Sequence, residues 1–241
     1  SGNLPFSVQI ADPATIAARS GITTVADFRS LDIAYGGSGA PIVPAFHDWL
    51  FHDDLEDRVV INIGGIANIS ILPAQSSLQL KGYDTGPGNC LMDAWSLKNQ
   101  RKPFDPNGTW AASGKISDEF LSYLMEDPFL LRPPPKSTGR ETYNLSYIEA
   151  QIRKGDFDKL PAADVQATLL QFTVESIALA IENTPMLVAR CIYVCGGGTR
   201  NKRLLKQLKH RLAPAKVLST SHVGVDPDMV EACAFAWLAS M

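Results

Sequence analysis

Asp84 has the surroundings of a working acid. It closes a run from Leu78 to Tyr83 and lies among Gly82, Gly86 and Gly88, small neighbours that leave a carboxylate room at a crowded site. A carboxylate at the mouth of a sheet can take a proton; the plain alternative is a surface acid. Gly64-Gly65 separates two runs rich in β-branched residues, Val59 to Ile63 and Ile66 to Leu72. That pattern predicts a hairpin with a tight turn, and glycines let a backbone approach a phosphate closely. Gly196-Gly197-Gly198 follows the strand-like run Cys191 to Cys195 and precedes a helix. A glycine loop at that junction favours ligand contact at the carboxyl edge of a sheet. Alone, Gly64-Gly65 is a turn; with the triplet and Asp84 it makes a candidate phosphate site. Glu231 sits in an apolar helical stretch, where a partnered or half-exposed acid is the ordinary reading. Arg29 and Asp32 precede the loop Gly36 to Pro41, which reads equally as a connector or as a substrate-facing loop.

Other chemistries find less support. The triplet is neither a dinucleotide fingerprint nor a P-loop. His47 and His52, with Asp48, Asp53 and Asp54, match no metal spacing and read as a surface helix end, so no metal ligands are assigned. Cys90, Cys191, Cys195 and Cys233 form no CxxC pair; Cys191 and Cys195, four apart on one strand face, read as buried thiols, and the setting as reducing and cytoplasmic. Lys136 and Arg140, in a loop, read as solvated. The 241 residues carry a formal charge of -3, giving no electrostatic reason to expect nucleic acid, and no apolar run has the length of a membrane span.

These residues need an α/β frame. Phe6 to Ile10 and Ile22 to Ala26 read as short strands, and Asp12-Pro13 opens a helix to about Arg19. A second helix spans about Pro44 to Phe51, and Asp53 to Arg58 is a charged joint. Strands follow at 59–63, 66–72 and 78–83, and then Asn89 caps a helix through Trp95. The stretch from Pro103 to Glu141, with Pro133-Pro134-Pro135, reads as an irregular insertion. Val165, Leu169, Phe172, Ile177 and Ile181 recur at helical spacing. The chain closes with a strand at 191–195, a helix at about 201–211, a strand at 216–219 and a helix from Asp228 to Ala239.

At these residues the sequence resembles the anhydro-N-acetylmuramic acid kinase family, of the sugar kinase, heat-shock protein and actin superfamily. The carriers are Val25 to Arg29, Gly36 to Pro41, Asn62 to Asn68, Gly82 to Asn89, Pro135 to Glu141, Val194 to Gly198 and Glu231 to Ala239. The resemblance implies an RNase H-like (actin-like ATPase) fold, a mixed sheet with flanking helices in two lobes around ATP and sugar. It implies ATP- and Mg²⁺-dependent phosphorylation of O6 of 1,6-anhydro-N-acetylmuramic acid while water opens the anhydro ring, a step in peptidoglycan recycling. By motif, Asp84 resembles the base that activates the water and Glu231 the second acid. Gly64 and Gly65 resemble a phosphate hairpin, Gly196 to Gly198 the adenosine-side glycines, and Arg29 and Asp32 the substrate-side loop. The family's first phosphate hairpin and its His-Gly-Gln-Thr segment have no counterpart here. The chain therefore reads as a fragment: residues 1–57 end lobe one, 58–225 form lobe two with an insertion at about 101–160, and 226–241 return toward lobe one. Alone it is expected to hold half a nucleotide site without catalysing transfer, and its exposed lobe-one parts to associate, as in a homodimer. Two other readings stand: a sugar kinase without the hydrolytic step, and a non-catalytic protein sensing ligand through a kinase-like lobe.

Overall fold

The computed structural model describes residues 8–37, 39–74, 79–185 and 187–241. Its centre is a mixed five-stranded sheet with strand order β3-β2-β1-β4-β5. Strands β1 (Arg58–Ile63), β2 (Ile66–Leu72) and β3 (Lys81–Pro87) form an antiparallel meander. Strand β4 (Cys191–Cys195) runs parallel to β1, and β5 (Lys216–Ser219) parallel to β4. The hairpin at Gly64-Gly65 and the parallel placement of β4 follow the sequence reading, and the order is that of an RNase H-like sheet.

Helices α1 (Pro13–Ser20), α2 (Ser30–Ala34) and α3 (Pro44–Phe51) precede the sheet. After β3 come α4 (Cys90–Gln100), α5 (Thr109–Ser113), α6 (Asp118–Met125), α7 (Pro128–Leu131), α8 (Leu145–Lys154) and α9 (Ala162–Glu182). Helix α10 (Lys202–Arg211) lies between β4 and β5, and α11 (Val230–Ser240) ends the chain.

Alternation along the strands divides the core in two. Val59, Ile61 and Ile63 face a large cluster with Leu91, Leu169, Phe172, Ile177 and Leu204 from α4, α9 and α10. Thirteen residues of α9 are buried, so it is held on most of its circumference rather than along one stripe. Val60 faces the other way, with Phe46 and Phe51 of α3, Tyr193 and Cys195 of β4, and Val230 and Ala234 of α11.

Several expectations are corrected. Among the described residues Val8 to Ile10 and Ile22 to Ala26 have no strand partner, and Val8 and Ile10 are exposed; Phe6 and Ser7 lie outside the described residues. Leu78 and Ser38 also lie outside them. The third strand runs through to Pro87, so Asp84 is inside it rather than at its end. Asn89 does not cap α4 with its side chain; its Nδ2 donates to the carbonyl of Ile63. The stretch after residue 101 is helical. Asp105 accepts from the N–H groups of Trp110 and Ala111, while Ser117, Asp127 and Asn144 cap α6, α7 and α8. Each such cap is worth about 1 kcal/mol. The last helix starts at Val230 because Asp226 turns the chain, accepting from the N–H groups of Asp228 and Met229.

Candidate active site

The strand register lays a polar row across the face that carries α3 and α11. Cys195 of β4 is opposite Asn62, Asn62 is opposite Asn68, and Asn68 is opposite Asp84. A bulge at this point gives β3 one extra residue: Ala67 pairs with Gly86 and Asn68 with Asp84. The intervening Thr85 turns inward and donates to the carbonyl of Ala67 at 3.2 Å. Bulges re-aim side chains beside active sites, and this one holds Asp84 in line with the two asparagines.

Asp84 is 6% exposed. Its Oδ2 accepts from the hydroxyl of Ser137 at 2.8 Å and the N–H of Thr138 at 2.9 Å, and its own N–H donates to the carbonyl of Lys136 at 3.1 Å. Among the described residues Oδ1 has no hydrogen-bond partner, which leaves it for a ligand. Burial pushes the carboxyl above its ordinary value, opposed by the Thr138 N–H, the Ser137 hydroxyl and the charge of Lys136. A carboxyl shifted upward has the basicity a proton acceptor needs.

Lys136 is buried, not solvated as the sequence suggested. Its Nζ donates to the carbonyls of Phe129 and Leu130 at 3.1 and 2.8 Å and lies 4.9 Å from the Phe129 ring centroid. It therefore fastens the loop that grips Asp84 to the end of α7. Burial and the neighbouring Arg132 push its pKa down, against the pull of Asp127 and Asp84.

Arg29, Asn62, Asn68, Asp84, Glu231 and Phe235 share the lining of a cavity of about 100 Å³. Glu231, in the first turn of α11, is exposed, and its charge helps burial drive the Cys195 thiol up to about 12. Phe235 packs edge-on against Phe28 at 5.3 Å, tying α11 to the segment that carries Arg29. Arg29 donates from Nη1 to the carbonyl of Gly39. Asp32 does not join the cavity: its Oδ2 accepts from the N–H of Gly39 at 2.7 Å and holds the glycine-rich loop.

A second cleft, of about 370 Å³, is lined by Asn89, Asp93, Phe104, Gly197, Arg200 and Asn201. Within the triplet the roles differ. Gly196 has φ +80 and a Cβ there would strike Asn62, Gly198 packs against Ile63, and Gly197 faces open space. Burial pushes Asp93 up to about 6, opposed by the charge of Arg140.

The Gly64-Gly65 turn stands between the two spaces. Its carbonyls accept from the start of α4: Gly64 from Asn89 at 2.8 Å, Gly65 from Gly88 at 2.9 Å and Cys90 at 3.1 Å. A Cβ on Gly65 would come within 2.6 Å of Arg140 Nε, so the missing side chain makes room for a guanidinium. Sequence reasoning missed Asn62, Asn68, Ser137 and Thr138 as site residues and set Arg140 aside. One signal was available: Asn62 and Asn68 interrupt apolar strands three residues to either side of Gly65.

His47 is also corrected. It is 1% exposed on the inner face of α3, with Nδ1 2.8 Å from Ser70 Oγ, and burial lowers its pKa to about 4. Cys90, Cys191 and Cys195 are buried and free, whereas Cys233 is free and exposed. Among the described residues no three His, Cys, Asp or Glu side chains cluster as a metal site, and no helix is long and apolar enough to cross a membrane.

Among curated proteins, an anhydro-N-acetylmuramic acid kinase of Coxiella burnetii (strain RSA 493 / Nine Mile phase I) is 47% identical over 239 residues, covering 99% of this chain and 63% of its own length. One from Pseudomonas syringae pv. tomato is 47% identical, covering 97% of this chain and 63% of its own length. One from Pasteurella multocida is 47% identical, covering 99% and 62%. The chain thus spans less than two thirds of the length of the curated relatives it matches. Among solved structures, an activator of 2-hydroxyisocaproyl-CoA dehydratase from Clostridium difficile matches 82% of this chain and 65% of its own at 12% identity, with a TM-score of 0.43, too loose a likeness to add to the sheet's own order. The family model for anhydro-N-acetylmuramic acid kinase matches residues 1–241, and the chain belongs to that family.

Proposed function

We propose that the protein is an ATP-dependent kinase that converts 1,6-anhydro-N-acetylmuramic acid to N-acetylmuramic acid 6-phosphate, water opening the anhydro ring, as a step in cytoplasmic peptidoglycan recycling. The observation that carries this reading is the free Oδ1 of Asp84 in a cavity shared with Glu231 and Arg29, beside a glycine hairpin. It is supported by family membership and by the activity for which the relatives are named.

In this reading Asp84 removes a proton from the attacking water and Glu231 is the second acid of the sugar cavity. Arg29 and Asp32 shape its rim, the latter by holding Gly39 in place. Gly64 and Gly65 border the phosphates, and the loop Gly196 to Gly198, through Gly197, floors the larger cleft for adenosine. Residues 1–57 belong to the end of one lobe, 58–225 to the second, and 226–241 return to the first. Mg²⁺ would supply positive charge against the phosphates, with Asp84 and Asp93 the carboxylates in place to hold it or its waters.

The deciding assay supplies a full-length protein carrying this sequence with ATP, Mg²⁺ and the anhydro-sugar, and identifies the product by mass. The opened-ring 6-phosphate is the expected product. A phosphorylated intact ring would make it a sugar kinase without hydrolysis. Binding of both ligands with no product would make it a ligand-binding protein.

A further inference from the structure

Six buried side-chain nitrogen and oxygen atoms lack a partner among the described residues. Of these, Asn68 Oδ1 alone belongs to a residue lining the small cavity. A buried amide oxygen left unpaired weakens the fold, so its retention calls for a ligand. Asn68 is directly opposite Asp84 in the β2–β3 ladder, and side chains so paired on one face are near neighbours. Asp84 has spent Oδ2 on Ser137 and Thr138 and keeps Oδ1. Both residues line the cavity, so a small ligand held between them would meet two acceptors, one basic and one neutral.

The number of protons on the donor decides what fits between them. A sugar hydroxyl has one hydrogen; given to Asp84, it leaves Asn68 unpaired. A water molecule has two, satisfies both oxygens, and has its lone pairs directed away from the strands. We infer that Asn68 positions the attacking water, accepting one of its hydrogens while Asp84 accepts the other. The inference rests on the hydrolytic reading above and gives it a second residue. In the step itself the water oxygen bonds to the anomeric carbon as that carbon's bond to O6 breaks. O6 takes the terminal phosphoryl group and ADP leaves. One water proton passes to Asp84 Oδ1, and the other remains on the new hydroxyl, bound to Asn68 Oδ1. Asn68 thus sets geometry, and Asp84 carries the proton.

The test compares the wild-type full-length protein with Asn68→Ala and Asn68→Ser, measuring opened-ring product, ATP affinity by calorimetry, and the pH dependence of the rate. Loss of a positioning contact is worth roughly 100-fold in rate, and that is the loss expected for Asn68→Ala. ATP affinity and the pH of half-maximal rate should not move, because Asp84 is still the base. Asn68→Ser keeps an acceptor and should recover part of the rate. A rate for Asn68→Ala within twofold of wild type overturns the inference. So does a loss of ATP affinity or of thermal midpoint in step with rate in both variants, which would mark a scaffold role. An intact-ring product from the wild type would instead end the hydrolytic reading, and this inference with it.

Discussion

The sheet has two faces of unlike construction. Toward α4, α9 and α10 it is sealed by a continuous apolar cluster that takes in Val59, Ile61, Ile63, Leu169 and Phe172. Toward α3 and α11 the apolar cluster is smaller, Trp49 of α3 is 65% exposed, and the strands carry Asn62, Asn68 and Asp84 in cross-strand register. The first face hides every side chain it can. The second keeps a carboxyl and an amide oxygen buried at a cost, which the core on the opposite side offsets. The acid and amides that line the small cavity thus lie on the opposite side of the same strands from the larger apolar cluster.

The largest expected effect is on the chemical face. Asp84→Asn keeps the size and one acceptor for the Thr138 N–H but cannot take a proton. Loss of a general base costs roughly 10²–10⁴-fold in rate, and product formation should fall by that much while ATP affinity holds. Because burial disfavours the charged form of Asp84, the amide should leave the thermal midpoint unchanged or raise it. Near-normal turnover would remove Asp84 from its role.

On the sealed face the pattern reverses. Phe172 is fully buried in α9, and truncating a buried Phe to Ala costs about 3–5 kcal/mol. Chemical denaturation of Phe172→Ala should show that loss. Trp237→Ala, at a half-buried ring 6.0 Å from Phe46 and from Trp49, should cost clearly less. Equal losses would mean that the two faces share the load.

The same asymmetry explains what could be read in advance. The strands at 59–63, 66–72, 191–195 and 216–219 and the helix from 162 show their own periodicity, because apolar burial leaves a local trace. The helices between 105 and 154 do not, since they rest on caps such as Asp105, Ser117 and Asn144 interleaved with prolines and glycines that look like loop. Ile22 to Ala26 had strand-like composition but no partner in the sheet. In the site, Asp84 stood out among its glycines, whereas Glu231 was singled out only by the family resemblance. Asn68 matters only through its register and the bulge beside it, and Lys136 only through the carbonyls of Phe129 and Leu130. Neither relation is local in sequence.

His47 tests whether the chemical face is also the acid-sensitive one. Its pKa is about 4 in the fold against an ordinary 6.5, so below about 6.5 the unfolded chain takes up a proton that the folded chain refuses. Stability should be lost as pH falls from about 6.5 toward 4, by about 3 kcal/mol at full extent. Asp93, raised to about 6, works in the opposite sense, since the fold favours its protonated form and gains as pH falls. The two are separated by comparing wild type with His47→Gln at pH 7.5 and 5. The variant has no proton to gain and should lose less thermal stability on acidification. Parallel pH dependences would show that His47 contributes nothing to it.

The smallest effect expected concerns the boundary between the faces. Arg140 lies against Gly65, its charge acts on Asp93 in α4, and its guanidinium has no hydrogen bond or ion pair among the described residues. A triphosphate running from the cleft at Gly197 toward Asp84 would pass the Gly64-Gly65 turn and meet this cation. A guanidinium–phosphate contact at an exposed position is worth about a factor of ten, or roughly 1.4 kcal/mol. Arg140→Ala should weaken ATP binding by about that factor while adenosine, which has no phosphate to lose, binds as before. Arg140→Lys keeps the charge without the planar fork and should fall between. If ATP and adenosine weaken together, Arg140 is shaping the cleft rather than reading phosphate. If neither weakens, the sealed face contributes no charge to the ligand, and ligand binding belongs to the other face alone.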